Sequence, residues 1–370
     1  MDFNINLPIN VVSGKGCVKK NSALMSAFGK KCIIVTGGSS AKKSGALDDI
    51  LYALNEQQIE SVLYDGIGPN PRLDHCYEAA EKAVSFGAEF VIGIGGGSPL
   101  DAAKAVAVYA ANPTFGIQDI YSDGTRNTAL PIVLIGTTAG TGSEVGKVSV
   151  LTDPVTGRKK SIAPMDCFPR LTFADPTYTH SMPYSVTVST ALDALAHALE
   201  GYMSVKCTDI PTLFGEKAID LIWHGLVYLH RTKETPDEKM REMLYYGSLY
   251  AGITLAYCGT AFPHPLGYIL TENYDLPHGR ACTAFMDEFI DSSEKHEKEK
   301  TNRVLSVMKT DKETFKNIIR ELTDLPEIKM TEEEILAYCK RYDTVPNNFK
   351  FSPGGFTKED ATEIFRKKFL

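Results

Sequence analysis

None of the eight cysteines lies in a CxxC pair, and their spacing is irregular. Nothing in it reads as a disulfide framework, so all eight are expected as reduced, mostly buried thiols. No apolar run approaches the ~20 residues that cross a bilayer. The opening stretch, MDFNINLPINVV, has neither the basic start nor the apolar core of a secretory leader. A cytoplasmic protein without a membrane partner is the expectation. Positive charge is also short: the formal net charge is −7, which argues against nucleic acid as a partner, because phosphate backbones need a basic face. There is no internal repeat, no low-complexity segment, no GxGxxG fingerprint and no GK[ST] of a P-loop.

What is present is the balance of a soluble globular enzyme, 43% hydrophobic and 23% charged. A chain of 370 residues has room for two domains. The first half alternates strand and helix signals. Strands are predicted at 31–36, 59–63, 90–94 and 131–135, with helices at 46–57, 73–86 and 99–110. Units of this length imply a parallel sheet covered on both faces. Beyond residue 180 strand signals nearly vanish. Helices are predicted at 185–204, 212–230, 236–258, 262–271, 281–293, 297–308, 312–323, 331–341 and 357–368. The fold expected is an α/β N-terminal domain, residues 1–180, followed by an all-α C-terminal domain, residues 181–370.

Gly95-Gly96-Gly97-Ser98-Pro99-Leu100-Asp101 follows a strand and opens a helix. Ser98 is expected as N-cap, Pro99 at the first helical position, and Asp101 as the acid of a shortened capping box. The glycines would let a phosphate approach bare backbone at the positive end of the helix. An ordinary tight turn is the plainer alternative. A second small-residue segment, Gly136 to Glu144, follows the next strand and suits a phosphate or a ribose. Two such loops at the ends of parallel strands are where α/β sheets usually bind nucleotides.

Asp193 and His197 lie four residues apart on one face of an otherwise apolar helix. Burying either without a partner is costly. A buried Asp–His hydrogen bond accounts for the pair at least as well as a metal site does. His264 and His278 each follow a proline and have a glycine soon after, at Gly267 and Gly279. Three histidines and a carboxylate form a donor set that suits Fe(II) or Zn(II), with no obvious thiolate.

The chain resembles the iron-containing (group III) alcohol dehydrogenases over essentially its full length. The matching pieces occur in family order: Gly66 to Pro71, Gly95 to Asp101, Thr137 to Glu144, Asp193 to Glu200, and His264 through Pro277-His278-Gly279. The resemblance implies a nucleotide-binding α/β domain and a helical domain with the active site in the cleft between them. It implies a metal held by Asp193, His197, His264 and His278, with Fe(II) expected and Zn(II) as the alternative ion. It places the cofactor pyrophosphate on Gly96, Gly97 and Ser98. Thr137, Thr138 and Ser143 become cofactor contacts, with Lys160 near the ribose and nicotinamide. Asn70, Asp101 and Thr141, within the same motifs, complete that set. Glu200 is either a partner of a ligand or a surface residue.

Two departures from the family pattern stand out. Tyr268 occupies a place where many members carry a histidine near the nicotinamide, and a tyrosine does not titrate near neutral pH. Gly37 occupies the place where NAD-preferring members often carry Asp. Without that acid, Gly38, Ser39 and Ser40 can donate to a 2′-phosphate and Lys42 or Lys43 can add charge. NADP(H) is therefore expected over NAD(H). The activity implied is hydride transfer between the nicotinamide and a small primary alcohol, diol or aldehyde, in a homo-oligomer of two or more chains. A glycerol-dehydrogenase-like or dehydroquinate-synthase-like enzyme, or a non-catalytic metal- and nucleotide-binding protein, are the alternatives.

Overall fold

The computed structural model describes residues 5–122 and 124–370; residues 1–4, where the stretch read for a leader begins, and residue 123 lie outside them. Eight strands and sixteen α-helices are present among the described residues. Two compact units divide the chain between Pro183 and Tyr184, with Asp237–Gly252 from the second half belonging to the N-terminal unit. The break falls a few residues after the expected 180/181, and the second half is not continuous in one unit.

The N-terminal unit is built on β1 (Asn10–Ser13), β2 (Lys31–Thr36), β3 (Glu60–Tyr64), β4 (Phe90–Gly95), β5 (Ile132–Gly136) and β8 (Leu171–Ala174), with a separate antiparallel hairpin of β6 (Ser149–Thr152) and β7 (Lys159–Ile162). The main sheet runs β1-β8-β5-β4-β2-β3, and every pairing in it is parallel. Its strands are apolar on both faces because both are covered. Ile33, Val35, Val91, Ile132 and Leu134 point into one core, while Cys32, Ile34, Ile92, Val133 and Ile135 point into the other. The helices of this unit are α1 (Cys17–Lys20), α2 (Ser40–Lys43), α3 (Ala46–Glu56), α4 (Leu73–Phe86) and α5 (Gly97–Ala111). The four predicted strands are present to within a residue at each end, whereas β1, β6, β7 and β8 were not anticipated. They are four residues each, too short for a periodicity to declare itself.

The helical unit carries α6 (Tyr184–Met203), α7 (Asp209–Thr232), α9 (Pro263–Tyr274), α10 (His278–Thr283), α11 (Met286–His296), α12 (Lys298–Met308), α13 (Lys312–Thr323), α14 (Glu332–Cys339), α15 (Asn347–Phe351) and α16 (Lys358–Phe369). The intervening α8 (Glu238–Cys258) begins in the N-terminal unit and ends in the helical one. Its Arg241 guanidinium, buried, donates to the carbonyls of Thr179 (2.7 Å) and Met182 (3.0 Å), tying this stretch to the end of the N-terminal unit. The single helix expected over 281–293 is two helices, α10 and α11. The Pro277 carbonyl accepts from Ala281 N–H, so the first turn forms directly after the proline. Helix α6 is buried continuously from Ala191 to Met203, as its run of alanines and leucines demands. No helix among the described residues is long and apolar enough to cross a membrane.

One cysteine expectation is corrected. Cys207, in the loop after α6, and Cys258, at the end of α8, form a disulfide across 51 residues of sequence. Only the tertiary path brings them together, so spacing carried no sign of it. The other six are free and buried.

Candidate active site

Helix α6 presents Asp193 and His197 on one buried face, as the i,i+4 spacing requires. Helix α9 begins at Pro263 and places His264 in its first turn, and α10 begins at His278 itself. The three rings converge on one atom. Asp193 Oδ1 lies 3.8 Å from Nε2 of His197, 3.8 Å from Nε2 of His264 and 3.8 Å from Nε2 of His278. Donors around one tetrahedral ion with bonds near 2.1 Å stand about 3.4–3.6 Å apart. The observed spacings exceed that by a few tenths of an ångström, which small side-chain movements take up. Asp193 Oδ1 is buried and has no hydrogen-bond partner among the described residues. A carboxylate oxygen so placed is costly unless a cation satisfies it. At 3.8 Å, Asp193 Oδ1 and His197 Nε2 stand beyond hydrogen-bonding distance of each other. Of the three rings, His278 has the most exposure, at 29%.

Glu200 is fully buried, not a surface residue. Its Oε1 lies 2.7 Å from His264 Nδ1, and its Oε2 accepts from the Ala261 amide at 2.8 Å. Burial pushes its carboxyl well above the usual carboxylate range; the Ala261 amide and the nearby His197 oppose the shift, and Asp193 adds to it. A proton on His264 Nδ1, donated to Glu200, leaves the Nε2 lone pair facing Asp193. Tyr268, one turn after His264, stacks its ring on His278, with centroids 5.5 Å apart and planes at 16°.

Close packing holds these helices in place. A Cβ on Gly279 would stand 1.9 Å from the Ser189 carbonyl and 3.0 Å from Asp193 Cβ. Only glycine lets α10 rest on α6 at the level of the carboxylate. One residue was missed by sequence reasoning. Cys282 Sγ, on α10 one turn after His278, lies 3.7 Å from both ring nitrogens of that histidine. Its sulfur and donor atoms of Asp193, His264 and His278 all lie within 4.8 Å of one another. The expectation of a site without a thiolate donor nearby is therefore corrected. The available signal was the four-residue spacing from His278, hidden because the helix was expected to begin at 281, leaving His278 outside it.

The expected cofactor residues lie in the N-terminal unit. The loops after β2, β4 and β5 emerge at one edge of the sheet, because Thr36 pairs with Ile94 and Gly95 with Gly136. Between β2 and β4 the strand order reverses direction, the position where such sheets bind ligands. The helix start differs from expectation. Helix α5 begins at Gly97, with Gly96 as N-cap and no side-chain cap. Ser98 is thus inside the first turn, and Pro99 is third, where its missing N–H still costs no helical bond. Asp101 makes no capping box. Its carboxylate accepts from Ser143 Oγ (2.6 Å) and the Val150 amide (2.9 Å).

Ser143 in turn accepts from Lys104, a fully buried lysine that also donates to the Ser143 and Val148 carbonyls. Burial lowers the Lys104 pKa, and Asp101 opposes that. Asp101, Lys104 and Ser143 therefore brace the two loops against each other. Gly97 faces Thr141 and Gly96 faces Thr138 across the same junction, and the Thr137 amide donates to the Gly95 carbonyl at 2.8 Å. The Thr137 hydroxyl is buried and has no hydrogen-bond partner among the described residues. Asn70 has a left-handed backbone, φ 55°.

At Gly37 a Cβ would stand 2.5 Å from the Ile67 carbonyl oxygen. This backbone has no room for an acid there. Gly38, Ser39, Ser40, Lys42 and Lys43 are exposed beside it. Lys160 is exposed on β7, its Nζ 4.0 Å from the centre of the Tyr121 ring.

An α/β unit with small-residue loops at a sheet's switch point, joined in sequence to a helical unit holding an Asp/His cluster, defines a class of nucleotide- and metal-binding oxidoreductases. Sequence and structure comparisons give the family. The model of iron-containing alcohol dehydrogenases matches residues 8–176, and that of the family's C-terminal region matches residues 187–337. The chain belongs to the iron-containing alcohol dehydrogenases, oxidoreductases of alcohols and aldehydes. A long-chain primary alcohol dehydrogenase of Thermoanaerobacter ethanolicus is 31% identical, over 98% of this chain and 89% of its own. An NADPH-dependent butanol dehydrogenase of Clostridium saccharobutylicum is 28% identical, over 94% and 89% respectively. The crystal structure of an iron-containing alcohol dehydrogenase from Thermotoga maritima superposes with a TM-score of 0.91 at 33% identity, covering 100% of this chain and 99% of that one. Membership implies a metal ion and a nicotinamide cofactor.

Proposed function

We propose that the chain is an NADP(H)-preferring reductase of small aldehydes, and dehydrogenase of the corresponding primary alcohols or diols, with its metal held by Asp193, His197, His264 and His278. The observation that carries this reading is the convergence of three histidine Nε2 atoms at 3.8 Å from one buried carboxylate oxygen. When bound, the metal supplies Lewis acidity to the substrate oxygen, while the nicotinamide supplies or accepts the hydride. The protein's own residues do the rest. Asp193 offsets part of the ion's charge. Glu200 holds His264 in the tautomer that leaves Nε2 a donor. Tyr268 packs on His278 and fixes its ring plane.

In the N-terminal unit, the amides of Gly96, Gly97 and Ser98 receive the pyrophosphate at the start of α5. Thr137 and Thr138 offer hydroxyls, with Asn70, Thr141 and Lys160 as further contacts. Asp101 and Ser143 act through the loop brace and not by touching the cofactor. The 2′-phosphate falls to Gly38, Ser39 and Ser40, with Lys42 and Lys43 each adding at most about fivefold, as exposed ion pairs do. One relative is named for NADPH dependence.

The test is nicotinamide oxidation by protein reconstituted with Fe(II) or Zn(II), across short aldehydes, diols and their alcohols, with both cofactors. The expected result is turnover of small aldehydes with kcat/KM higher for NADPH. Higher kcat/KM with NADH removes the cofactor assignment. Activity on glycerol alone favours the polyol alternative. No turnover by metal-replete protein favours a non-catalytic role.

A further inference from the structure

Glu200 and His264 touch at 2.7 Å although 64 positions separate them. The disulfide of Cys207 with Cys258 bears directly on that contact. Cys207 lies seven residues after Glu200, in the loop that leaves α6, and Cys258 lies six residues before His264, at the end of α8. The bridge therefore closes a short covalent ring, with the Glu200–His264 contact on its far side. Hydrogen bonds support the same junction. Ser204 Oγ donates to the Cys258 carbonyl at 2.8 Å, the Ala261 amide to Glu200 at 2.8 Å, and the Val205 amide to the Phe351 carbonyl at 3.0 Å. Cys258 is fully buried, but Cys207 is only half-buried, between exposed Lys206 and Thr208. One sulfur of the bridge is thus open to attack by a thiolate. The other six cysteines are buried.

We propose that the Cys207–Cys258 bridge is a reversible redox modification site that sets how firmly the arm carrying His264 is held, and with it how fast the metal leaves. The reagent it takes is a dithiol. A thiolate of the dithiol attacks Cys207 Sγ, the sulfur–sulfur bond breaks, and Cys258 leaves and takes up a proton. The second thiol of the reagent then displaces Cys207 from the mixed disulfide. Two electrons and two protons pass to the protein, and the dithiol becomes a disulfide. With the bridge open, the covalent path between Glu200 and His264 lengthens from the short ring to the 64-position stretch of chain. Loop-closure entropy grows as 3/2 ln n, so the effective concentration of one group at the other falls by up to roughly tenfold. The hydrogen bonds keep the arm folded, so reduction loosens the site without abolishing it. The inference rests on the metal-site reading above, and its thiol measurements are independent of that reading.

Full-length protein is equilibrated in buffers of oxidised and reduced dithiothreitol, freed of the buffer without oxygen, and loaded with Zn(II). Free thiols are counted after denaturing alkylation, and linked peptides are mapped by mass spectrometry. The oxidised protein should show six thiols and the reduced protein eight, with Cys207 and Cys258 making the difference and the change reversible in the folded state. Zn(II) release to a chromogenic chelator is then followed in both forms. Release from the reduced form should be faster by about three- to tenfold. Cys207→Ser and Cys258→Ser should each release Zn(II) at the reduced rate, whichever buffer they came from. Equal release rates in the two wild-type forms overturn the proposal. So does a bridge that yields to dithiol only on unfolding, which identifies a structural clasp. Eight thiols in the oxidising buffer overturn it at the first step. If neither form binds Zn(II), the metal reading fails and the effect on release falls with it, while the thiol count shows separately whether the bridge exchanges.

Discussion

Asp193 and Glu144 are both buried carboxylates in unlike surroundings. Asp193 Oδ1 stands 3.8 Å from an imidazole nitrogen of each of three histidines, the arrangement proposed to hold the metal. His197→Ala or His278→Ala should therefore lose bound metal and turnover together. Full metal occupancy in either variant, by elemental analysis, would show the ligand assignment wrong. Glu144, in the loop after β5, is fully buried and its Oε1 has no hydrogen-bond partner among the described residues. Burial raises its pKa from the ordinary 4.5 to about 7, with Lys104 opposing. Below pH 4.5 both folded and unfolded chains hold the proton, and Glu144 is neutral to stability. As pH rises toward 7 the unfolded chain releases the proton first, so folding becomes less favourable. The cost reaches about 3 kcal/mol above pH 7. Glu144→Gln should remove this decline. Urea unfolding of the two proteins across that pH range should show them diverge as pH rises, with Gln the more stable at the alkaline end. Parallel curves would mean that Glu144 is ionised in the folded protein.

At the scale of elements, helix starts and helix contacts decide where the chemistry lies. Gly96 caps α5, and the serine that looked like a cap is inside the turn. The acid that looked like its partner instead joins Lys104 and Ser143. Local pattern predicted the helix correctly, but a tertiary brace outcompeted the local cap. The contact of α10 on α6 is tighter still. Gly279→Ala places a methyl against the Ser189 carbonyl and must separate the two helices. Overpacking of this kind costs about 1–3 kcal/mol. Because the displaced helix carries His278, Zn(II) affinity should weaken alongside stability. A variant with unchanged denaturation midpoint and unchanged Zn(II) affinity in a chelator competition would show that α10 is free to shift.

At the scale of the whole molecule, the proposed metal donors all belong to the helical unit and the small-residue loops to the N-terminal one. An ion bound only by the folded state stabilises in proportion to its free concentration over its Kd. Zn(II) added to stripped protein should therefore raise the melting temperature, and chelator should reverse the rise. The rise should vanish in the His278→Ala variant. In calorimetry, any separate transition that belongs to the N-terminal unit should stay where it was. A metal-independent melting temperature for the wild type would contradict a site formed only in the folded helical unit.

Much of this was legible before the structure. Apolar runs of five or six residues ending in glycine declared β2, β4 and β5, since strands buried on both faces need no alternation. The Asp193–His197 spacing declared a shared helical face. Motif order declared the family. Other features were beyond any local reading. That His264 and His278 face Asp193, that Cys282 joins them, and that Cys207 meets Cys258 depend on how helices far apart in sequence cross. Gly37 could be read as a missing acid, but only the Ile67 carbonyl beside it shows that the backbone has no room for one. Sequence determines which segments form helices and strands, because periodicity and turn chemistry act over a few residues. Tertiary packing decides which donors share a site, because a distance of 3.8 Å between residues seventy or more positions apart is set by helix contacts alone.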